Sequence, residues 1–481
     1  MASLPFSRVS NPFFRWGARL ASLLLAVPII IALVVAFSVP WGLLAGFNPG
    51  TQGQAAERVI FANVSVLPMT GEGLLENRFV VVEEGRITAI EPALPDDVTD
   101  FVVIDGHGQT LMPGLIDMHV HVFDRTDMLN YVTHGVTTVR NMMGMPMHLR
   151  WREGAASGEL PGPRLITASP TLNQGEWAPF HRFVDGPEDA RERVREYADR
   201  GYDLIKVYEG LEADVFSAIM EEASAQGLAV TGHQPNSIDL ETFLSAGIVS
   251  MEHAEDLYGN NLRRDSKPED IANLIQRIEG YSVPLTPTLM AYRNLQLANA
   301  SPDEFFASID MERINPIVQF FGHRATADMI QYGDPERIQQ KMDIMMEVTR
   351  LLYANRGGVI LGTDTSPAFT VSGETLHDEI ALIASTGVPA YEILYSGTVA
   401  AANALGMPGE TGIIAEGAFA DIILVDGNPL DDLSVLRDPQ TVIASGRLYQ
   451  ENDLEILREN GTHTMSAYAT IGWLIWHELT K

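Results

Sequence analysis

The feature that most constrains the fold of this chain is an alternation of short apolar runs with longer amphipathic stretches over residues 112–405. Charged stretches of helical length, such as PEDARERVREYADR, separate the runs. The runs have the length and residue types of buried strands. In chain order they are GLIDMHVH, GVTTVR, PRLITAS, YDLIKVY, GLAVTGH, GIVSMEH, SVPLTPT and GGVILGTD. Eight strand–helix units in series predict an α/β fold with a (β/α)8 barrel, the TIM barrel architecture.

The two flanks of the predicted barrel have a different pattern, in which short strand-like runs alternate with turns. Residues 57–111 contain ERVIFANVSVLP and RFVVVEEGRITAIEP, and residues 406–450 contain GAFADIILVDG and VIASGRLY. This pattern predicts a small β domain built from both flanks. Residues 451–481 are predicted to be a helical extension. The sequence leaves open whether it caps this domain, pairs two subunits of a homo-oligomer or touches a membrane.

The first 50 residues are predicted to be a membrane anchor or signal segment followed by a polar linker. Arg8, Arg15 and Arg19 precede an uncharged apolar run at residues 20–37, which is long enough to span a bilayer. Basic residues on the N-terminal side predict that the rest of the chain lies on the non-cytoplasmic side, periplasmic or extracellular. An uncleaved transmembrane helix is favoured over a cleaved signal, because no clear cleavage site follows the run.

The composition excludes several classes of function. The 481-residue chain has a formal net charge of −31, which repels phosphate backbones and argues against nucleic acid as a partner. The chain has no cysteine, so disulfides, a cysteine nucleophile and thiolate metal ligands are excluded. Any metal ion must therefore be held by nitrogen and oxygen atoms.

Side chains suited to metal binding or proton transfer lie at the ends of the predicted strands. His119 and His121 are separated by one residue, so they point to the same face of the first strand. The same end of other strands carries Lys206, His233, His253 and Asp364. Active sites of (β/α)8 barrels lie at the C-terminal ends of the strands, so these residues form one predicted site.

Lys206 is unusual because it lies within an apolar run, DLIKVY, in a chain that has only four lysines. Burial lowers the pKa of a lysine, and a neutral amine is a nucleophile. The alternative is a buried ion pair with Asp203 or Glu209. Spacing alone does not choose between the two interpretations.

Ordered motifs along the chain resemble the amidohydrolase superfamily: they are PGLIDMHVH, IKVY, TGHQ, SMEHAEDL and LGTDTS. The C-terminal stretch NALGMPGETGIIAEGAFADIILVDGNPLDDL resembles the imidazolonepropionase-like branch, which includes dipeptidases of prolidase and carboxypeptidase type and ochratoxin amidase. The resemblance covers about residues 57–449. It implies a distorted (β/α)8 barrel with a small β-sandwich domain formed by both chain flanks.

The resemblance also implies a centre of two divalent metal ions, commonly zinc. The implied metal ligands are His119, His121, Lys206, His233, His253 and Asp364. Lys206 is implied to be carbamylated by carbon dioxide, so that its carboxylate bridges the ions. Asp364 is implied to be the catalytic residue that takes a proton from the attacking hydroxide and delivers it to the leaving nitrogen.

The expected function is hydrolysis of an amide bond in a small molecule, a dipeptide or an N-acyl amino acid. An alternative within enzymes is hydrolysis of a cyclic amide or a lactone, which the same centre can perform. A non-catalytic binding module on the same fold is an alternative of another class. The complete ligand set favours an enzyme, because a dead relative readily loses residues such as Lys206 and Asp364.

Three further residues are candidates for binding the substrate: Tyr208, Arg140 and His181. Each has a structural alternative, which is barrel-top packing for Tyr208, an ion pair for Arg140 and a surface loop position for His181. His377 and Glu379 lie at the start of the last barrel helix and are candidates for orienting the metal ligands. Their alternative is a pair on the helix surface.

Overall fold

The computed structural model describes residues 47–175 and 180–462 of the chain. The predicted anchor at residues 20–37 and residues 463–481 of the predicted C-terminal extension lie outside this part. Of the helices that the structure describes, none combines the length and the hydropathy of a membrane span.

The strands of the described residues are, in chain order, β1 (Gln54–Ala55), β2 (Arg58–Val66), β3 (Leu75–Glu83), β4 (Arg86–Glu91), β5 (Val102–Asp105), β6 (Gln109–Pro113), β7 (Leu115–Val120), β8 (Val136–Asn141), β9 (Arg164–Thr167), β10 (Thr171–Asn173), β11 (His181–Phe183), β12 (Leu204–Val207), β13 (Ala229–Gly232), β14 (Met251–Glu252), β15 (Leu285–Thr286), β16 (Ile422–Asp426), β17 (Thr441–Ala444) and β18 (Arg447–Gln450).

The α-helices of the described residues are α1 (Arg125–Thr133), α2 (Pro146–Ser157), α3 (Pro187–Arg200), α4 (Ala213–Gln226), α5 (Leu240–Ser245), α6 (Ala254–Asn260), α7 (Pro268–Glu279), α8 (Leu289–Ala300), α9 (Pro302–Ser308), α10 (Pro316–Tyr332), α11 (Pro335–Leu352), α12 (Glu374–Ala384), α13 (Ala390–Ser396), α14 (Val399–Ala404) and α15 (Glu451–Asn460).

Parallel strands of the middle of the chain form a closed ring. β7, β8 and β9 are hydrogen-bonded in that order, and β12, β13, β14 and β15 follow one another in a second run. A bridge between Ala168 and Leu204 joins the two runs. Residues 359–365 fill the eighth position through bridges from Leu285 to Val359 and from Thr365 to Val120. The predicted TIM barrel is thus confirmed, and its distortion lies where single bridges replace continuous ladders.

Strands from both flanks of the barrel form one sheet in the order β1-β18-β17-β16-β6-β2-β3-β4, with β5 also paired to β2. The flanks meet where β6 and β16 pair antiparallel, with Leu111 opposite Leu424. The predicted joining of the flanks is therefore observed. The strands form one continuous hydrogen-bonded sheet, and strands that lie far apart in its order share one core, because Val80 and Val82 of β3 belong to the same cluster as Ile443 of β17 and Leu448 of β18.

The sheet is continuous because β2 is long enough to pair with different strands at its two ends. Residues 59–62 of β2 pair with β5, and Ser65 and Val66 pair with β6. Between them Asn63 has a φ of 58°, and the register to β3 shifts there. A residue in this conformation bends the strand, so one strand can serve both branches of the sheet.

The C-terminal ends of the barrel strands form the face that carries the predicted site. β7 and β8 are buried along their whole length, as expected for parallel strands covered by helices. An insert of four helices, α8 to α11, separates β15 from the eighth strand position. The barrel therefore supplies a rigid base, and the helical insert follows directly from one of the strand ends.

Candidate functional site

Six predicted ligands come from five strand positions of the ring. His119 lies in β7 and Lys206 in β12, and His121, His233 and His253 follow closely after β7, β13 and β14. The ring centroids of His119 and His253 are 4.5 Å apart, as are those of His233 and His253. The rings of His119 and His121 are 5.4 Å apart. The structure thus brings the four predicted histidines together.

Asp364 joins the first pair of histidines. Its Oδ1 lies 2.9 Å from His121 Nε2 and 3.4 Å from His119 Nε2. The ligand atoms of His119, His121 and Asp364 all lie within 4.8 Å of one another, which makes this trio a possible metal site. Burial raises the pKa of Asp364, but the hydrogen bond from His121 and the neighbouring imidazoles outweigh burial and hold the pKa well below its ordinary value.

Oxygen atoms hold the Nδ1 atoms of three of the histidines. His119 Nδ1 lies 2.7 Å from Glu252 Oε2, and His233 Nδ1 lies 2.8 Å from Asp256 Oδ2. His253 Nδ1 lies 2.8 Å from the hydroxyl of Thr288. An imidazole that donates through Nδ1 keeps the Nε2 lone pair for a metal ion. The arrangement is that of metal-ligating histidines.

Lys206 is buried, with 2% of its surface exposed, and its Nζ has no hydrogen-bond partner among the described residues. Burial lowers its pKa to about 8. The alternative of an ion pair with Asp203 or Glu209 is not observed, because neither carboxylate bonds the Lys206 Nζ, and Asp203 pairs instead with Arg152 at 2.8 Å. An unpaired buried amine is costly unless another group completes its surroundings.

The donor set fits a divalent metal ion. The candidate ligands offer imidazole nitrogen and carboxylate oxygen, which suit zinc and similar ions. His119 Nε2 is buried without a hydrogen-bond partner, although it lies near Asp364, and the Lys206 amine is also unpartnered within the described part of the chain. Both atoms have the unmet bonding capacity that a bound ion and a carbamate would satisfy.

Arg140 is buried and its guanidinium is engaged by other groups of the barrel, which corrects the prediction that it binds substrate. Its guanidinium is 1% exposed and donates to Glu252 Oε1 at 2.7 Å, to Ser250 Oγ at 2.8 Å and to the carbonyl of Met118 at 2.6 Å. This is the ion-pair alternative. The Arg140 charge is committed to holding Glu252, which in turn holds His119.

Glu252 was missed by sequence reasoning, although it lies in the quoted motif SMEHAEDL. It accepts hydrogen bonds from Thr231, Ser250 and Arg140 as well as bonding His119. Burial raises the pKa of this carboxyl, but Arg140 and the bond with His119 outweigh burial, so the pKa lies well below its ordinary value. An acidic residue inside an apolar run is the same signal that singled out Lys206.

Asp117, in the motif LIDMH, was also missed. Its carboxylate accepts from the Thr363 hydroxyl at 2.8 Å and from the Thr363 N–H at 3.1 Å. Thr365 is hydrogen-bonded to the same Thr363 hydroxyl. Asp364 lies between these two threonines and has a φ of 57°. Asp117 therefore ties β7 to the residues that present Asp364.

Tyr208 and His181 form one wall beside the histidines. The Tyr208 ring lies 4.3 Å from that of His233 and 4.5 Å from that of His181. Burial raises the pKa of Tyr208 well above its ordinary value, so its hydroxyl stays neutral at pH 7. Burial and the nearby Lys206 lower the pKa of His181 to about 4, so this ring is neutral as well. Both offer hydrogen bonds rather than charge.

His377 lies away from the site, which corrects the prediction that it orients a metal ligand. Its Nε2 donates to the carbonyl of His134 at 2.9 Å, and its ring lies 6.1 Å from that of His134. Glu379, two residues further along α12, contacts the start of α8 instead. Its carboxylate accepts from the N–H groups of Leu289 and Met290 at 2.8 and 2.7 Å.

Comparison with known proteins identifies relatives of the chain. Residues 110–449 match the model of the amidohydrolase family. The chain is 22% identical to ochratoxinase of Aspergillus niger over 454 residues, which cover 81% of this chain and 85% of that protein. The structure of a bottromycin amidohydrolase matches with a TM-score of 0.68 and 23% identity, covering 84% of this chain and 91% of the other.

A structure of a Xaa-Pro dipeptidase with methionine bound in its active site matches with a TM-score of 0.63 and 20% identity. The match covers 82% of this chain and 100% of that one. At this level of identity, the two structural likenesses support the barrel fold.

Proposed function

Because the chain belongs to the amidohydrolase family, in its imidazolonepropionase-like branch, we propose that it is a metal-dependent hydrolase of a dipeptide or an N-acyl amino acid. The observation that carries the proposal is the convergence of four imidazoles, one carboxylate and one unpaired amine on a single barrel end. Such a set is costly to bury together unless it binds a cation.

The residues proposed to hold two divalent ions, with zinc as the first choice, are His119, His121, Lys206, His233, His253 and Asp364. Lys206 would take part as its carbamate, formed with carbon dioxide. Bound divalent ions polarise a carbonyl group and lower the pKa of water toward neutrality.

The residues of the chain supply the proton transfer and the orientation. Asp364 takes a proton from the attacking water and delivers it to the leaving nitrogen. The C–N bond then breaks, and the amide is hydrolysed to a carboxylic acid and an amine. The Nε2 of His121 and the Oδ1 of Asp364 lie 2.9 Å apart, as two ligands of one ion would, and the hydrogen bonds that Thr363 donates to Asp117 keep this segment against β7. Asp364 is therefore held in one orientation during the transfer.

The wall formed by Tyr208 and His181 is proposed to bind the substrate's free carboxylate. Arg140 is unavailable because its charge is engaged by Glu252. The substrate carboxylate is therefore proposed to accept hydrogen bonds from the neutral side chains of Tyr208 and His181. Each hydrogen bond to a charged group contributes about 1.5–3 kcal/mol of binding free energy. This makes amino acid amides poorer substrates than the free acids.

The metal assignment is tested by counting ions in the purified protein and in two lysine variants. Wild-type protein is expected to hold about two divalent ions per chain by elemental analysis. Lys206→Ala is expected to lose the bridge and most of the activity, with partial rescue by a short carboxylate in solution. Lys267→Ala, at an exposed position, is the matched control and should keep both. Full metal content and activity in Lys206→Ala would contradict the carbamate.

The substrate class is tested by comparing dipeptides and N-acyl amino acids with their C-terminal amides. Amidation is expected to lower kcat/KM about tenfold or more, the loss of one charge-assisted contact. Equal hydrolysis of acid and amide would favour the alternative, a cyclic amide or a lactone. A protein that binds no metal and hydrolyses none of these compounds would be a non-catalytic binding module.

A further inference from the structure

The hydroxyl of Thr288 has an unusual use at the start of α8. Thr288 lies directly before this helix, where a threonine side chain normally accepts a hydrogen bond from the first N–H groups. Here the side chain makes no such bond. Its Oγ1 instead lies 2.8 Å from His253 Nδ1. The first turn of α8 therefore needs another acceptor for its N–H groups.

Glu379 supplies that acceptor from a different helix. Its Oε1 accepts from the N–H of Leu289 at 2.8 Å, and its Oε2 accepts from the N–H of Met290 at 2.7 Å. The side chain is fully buried and lies 90 residues along the chain from Leu289. Burial raises the pKa of this carboxyl to about 8, although the two N–H groups act against burial, so the cap rests on the hydrogen bonds and not on a full negative charge. α12 thus holds the first turn of α8 in place.

The backbone at this point is strained, so it needs such a clamp. Thr288 has a φ of 49° and His253 a φ of 66°, a region that residues other than glycine seldom adopt and that a β-branched residue avoids. Strained conformations persist where the surrounding structure fixes them from several sides. Glu379 bonds the two residues after Thr288, and the N–H of His253 donates to the carbonyl of Thr286 at 2.8 Å.

We propose that Glu379 is a positioning residue for His253. By capping α8, Glu379 holds Thr288 where its hydroxyl fixes the imidazole through Nδ1 and leaves Nε2 directed to the site. His119 and His233 are each fixed directly by a carboxylate, whereas His253 is fixed by a carboxylate acting through a helix N-terminus. Since His253 acts here as a metal ligand, the inference rests on the proposed function.

Metal affinity measures this effect in the folded protein. Cobalt(II) titration of metal-free protein, followed by visible absorption, is expected to show weaker binding of one ion in Glu379→Gln and in Thr288→Val, by about 10- to 100-fold. Thr288→Ser keeps the hydroxyl and should bind as the wild type does. In the double variant, the loss of cobalt affinity should be smaller than the sum of the two single losses, because both residues act on His253 through the same chain of contacts.

The matched control is His377→Gln, which alters the same helix but contacts His134 rather than α8. It should leave cobalt binding unchanged. If Glu379→Gln fails to fold, the pair Thr288→Val and Thr288→Ser decides the question. The proposal would be overturned if folded Glu379→Gln bound cobalt with the affinity and spectrum of the wild type. Glu379 would then only stabilise the helix, whatever the melting temperature of the variant.

A readout without metal separates this inference from the proposed function. In metal-free protein with ¹⁵N-labelled histidine, His253 is expected to carry its proton on Nδ1, and Glu379→Gln should shift its ring resonances toward a mixture of tautomers. Unchanged His253 resonances would contradict the positioning role. Failure of the wild type to bind any metal would contradict the proposed function, while the resonances would still report on Glu379.

Discussion

At the scale of single residues, the site depends on charges buried in the barrel. Arg140 and Glu252 are 1% and 0% exposed at their side chains and are joined at 2.7 Å, and Glu252 also holds His119. Removing one partner of a buried pair leaves the other charge without compensation, which costs more than the pair itself contributes.

Glu252→Gln is therefore expected to destabilise the metal-free protein by about 3–5 kcal/mol, because the Arg140 guanidinium loses its counter-charge. Urea unfolding measures the change. The matched control is Glu221→Gln, which breaks the pair between Arg191 and Glu221, whose side chains are 30% and 64% exposed. This surface change should cost less than about 1 kcal/mol. Equal losses in the two variants would contradict the importance of the buried pair.

At the scale of elements, the half-buried His134 and the buried His377 link α1 to α12. His134 follows α1, and its Nδ1 donates to the carbonyl of Asn130 at 2.8 Å. His377 in α12 donates to the carbonyl of His134. Burial is the main cause that lowers the pKa of His134 to about 4 and that of His377 to about 3, and nearby positive charges, Arg437 among them, contribute to both values. Both rings are therefore neutral in the folded protein.

Stability is expected to fall as the pH drops, because the unfolded chain binds protons at these histidines and the folded protein does not. The contribution is complete above a pH of about 6.5 and is lost between that pH and the folded pKa values of about 4 and 3. Each histidine accounts for about 1.4 kcal/mol per pH unit in this range.

His377→Gln removes one of the two groups and keeps a donor for the His134 carbonyl. Between pH 5 and 6, the slope of unfolding free energy against pH should decrease by the amount that corresponds to about one proton fewer taken up on unfolding. Urea midpoints at several pH values measure it. His107→Gln, at an exposed turn, should leave the slope as it is. A slope unchanged by His377→Gln would mean that this ring is protonated in the folded protein.

The elements of the barrel were predictable because their signals are local. Strand runs such as YDLIKVY show their burial in their own sequence, and the barrel rule then places Lys206 and Asp364 at one end. The contacts of Arg140, Glu252 and Glu379 were not predictable in the same way, although the sequence named Glu379 as a candidate for orienting a metal ligand. Their partners lie on other strands and helices, and no local period indicates which buried carboxylate faces which histidine. The single sheet likewise depends on the bend at Asn63.

At the scale of the whole molecule, the first 50 residues are proposed to hold the catalytic part of the chain on the non-cytoplasmic face of a membrane. Deleting residues 1–50 is expected to give a soluble, active enzyme, since the first strand of the sheet begins at Gln54. Fractionation and activity assays of the full and shortened proteins test this. The orientation is tested by treating spheroplasts with protease, which should digest the catalytic part of the full-length protein. The shortened protein, which lacks the anchor, is the control. A catalytic part that resists protease until the inner membrane is breached would contradict the orientation.

The pairing of β6 with β16 sets an order of events during synthesis. Leu111 of β6 pairs with Leu424 of β16, which is synthesised roughly 310 residues later. At a synthesis rate of about 5–20 residues per second, the pairing of β6 is delayed by roughly 15–60 s. Throughout that interval the β6 edge is an open template for wrong partners. A chain whose synthesis stops before β16 therefore keeps an exposed strand edge. We expect such fragments to be bound by chaperones or degraded by proteases, and not to act as partly active enzymes.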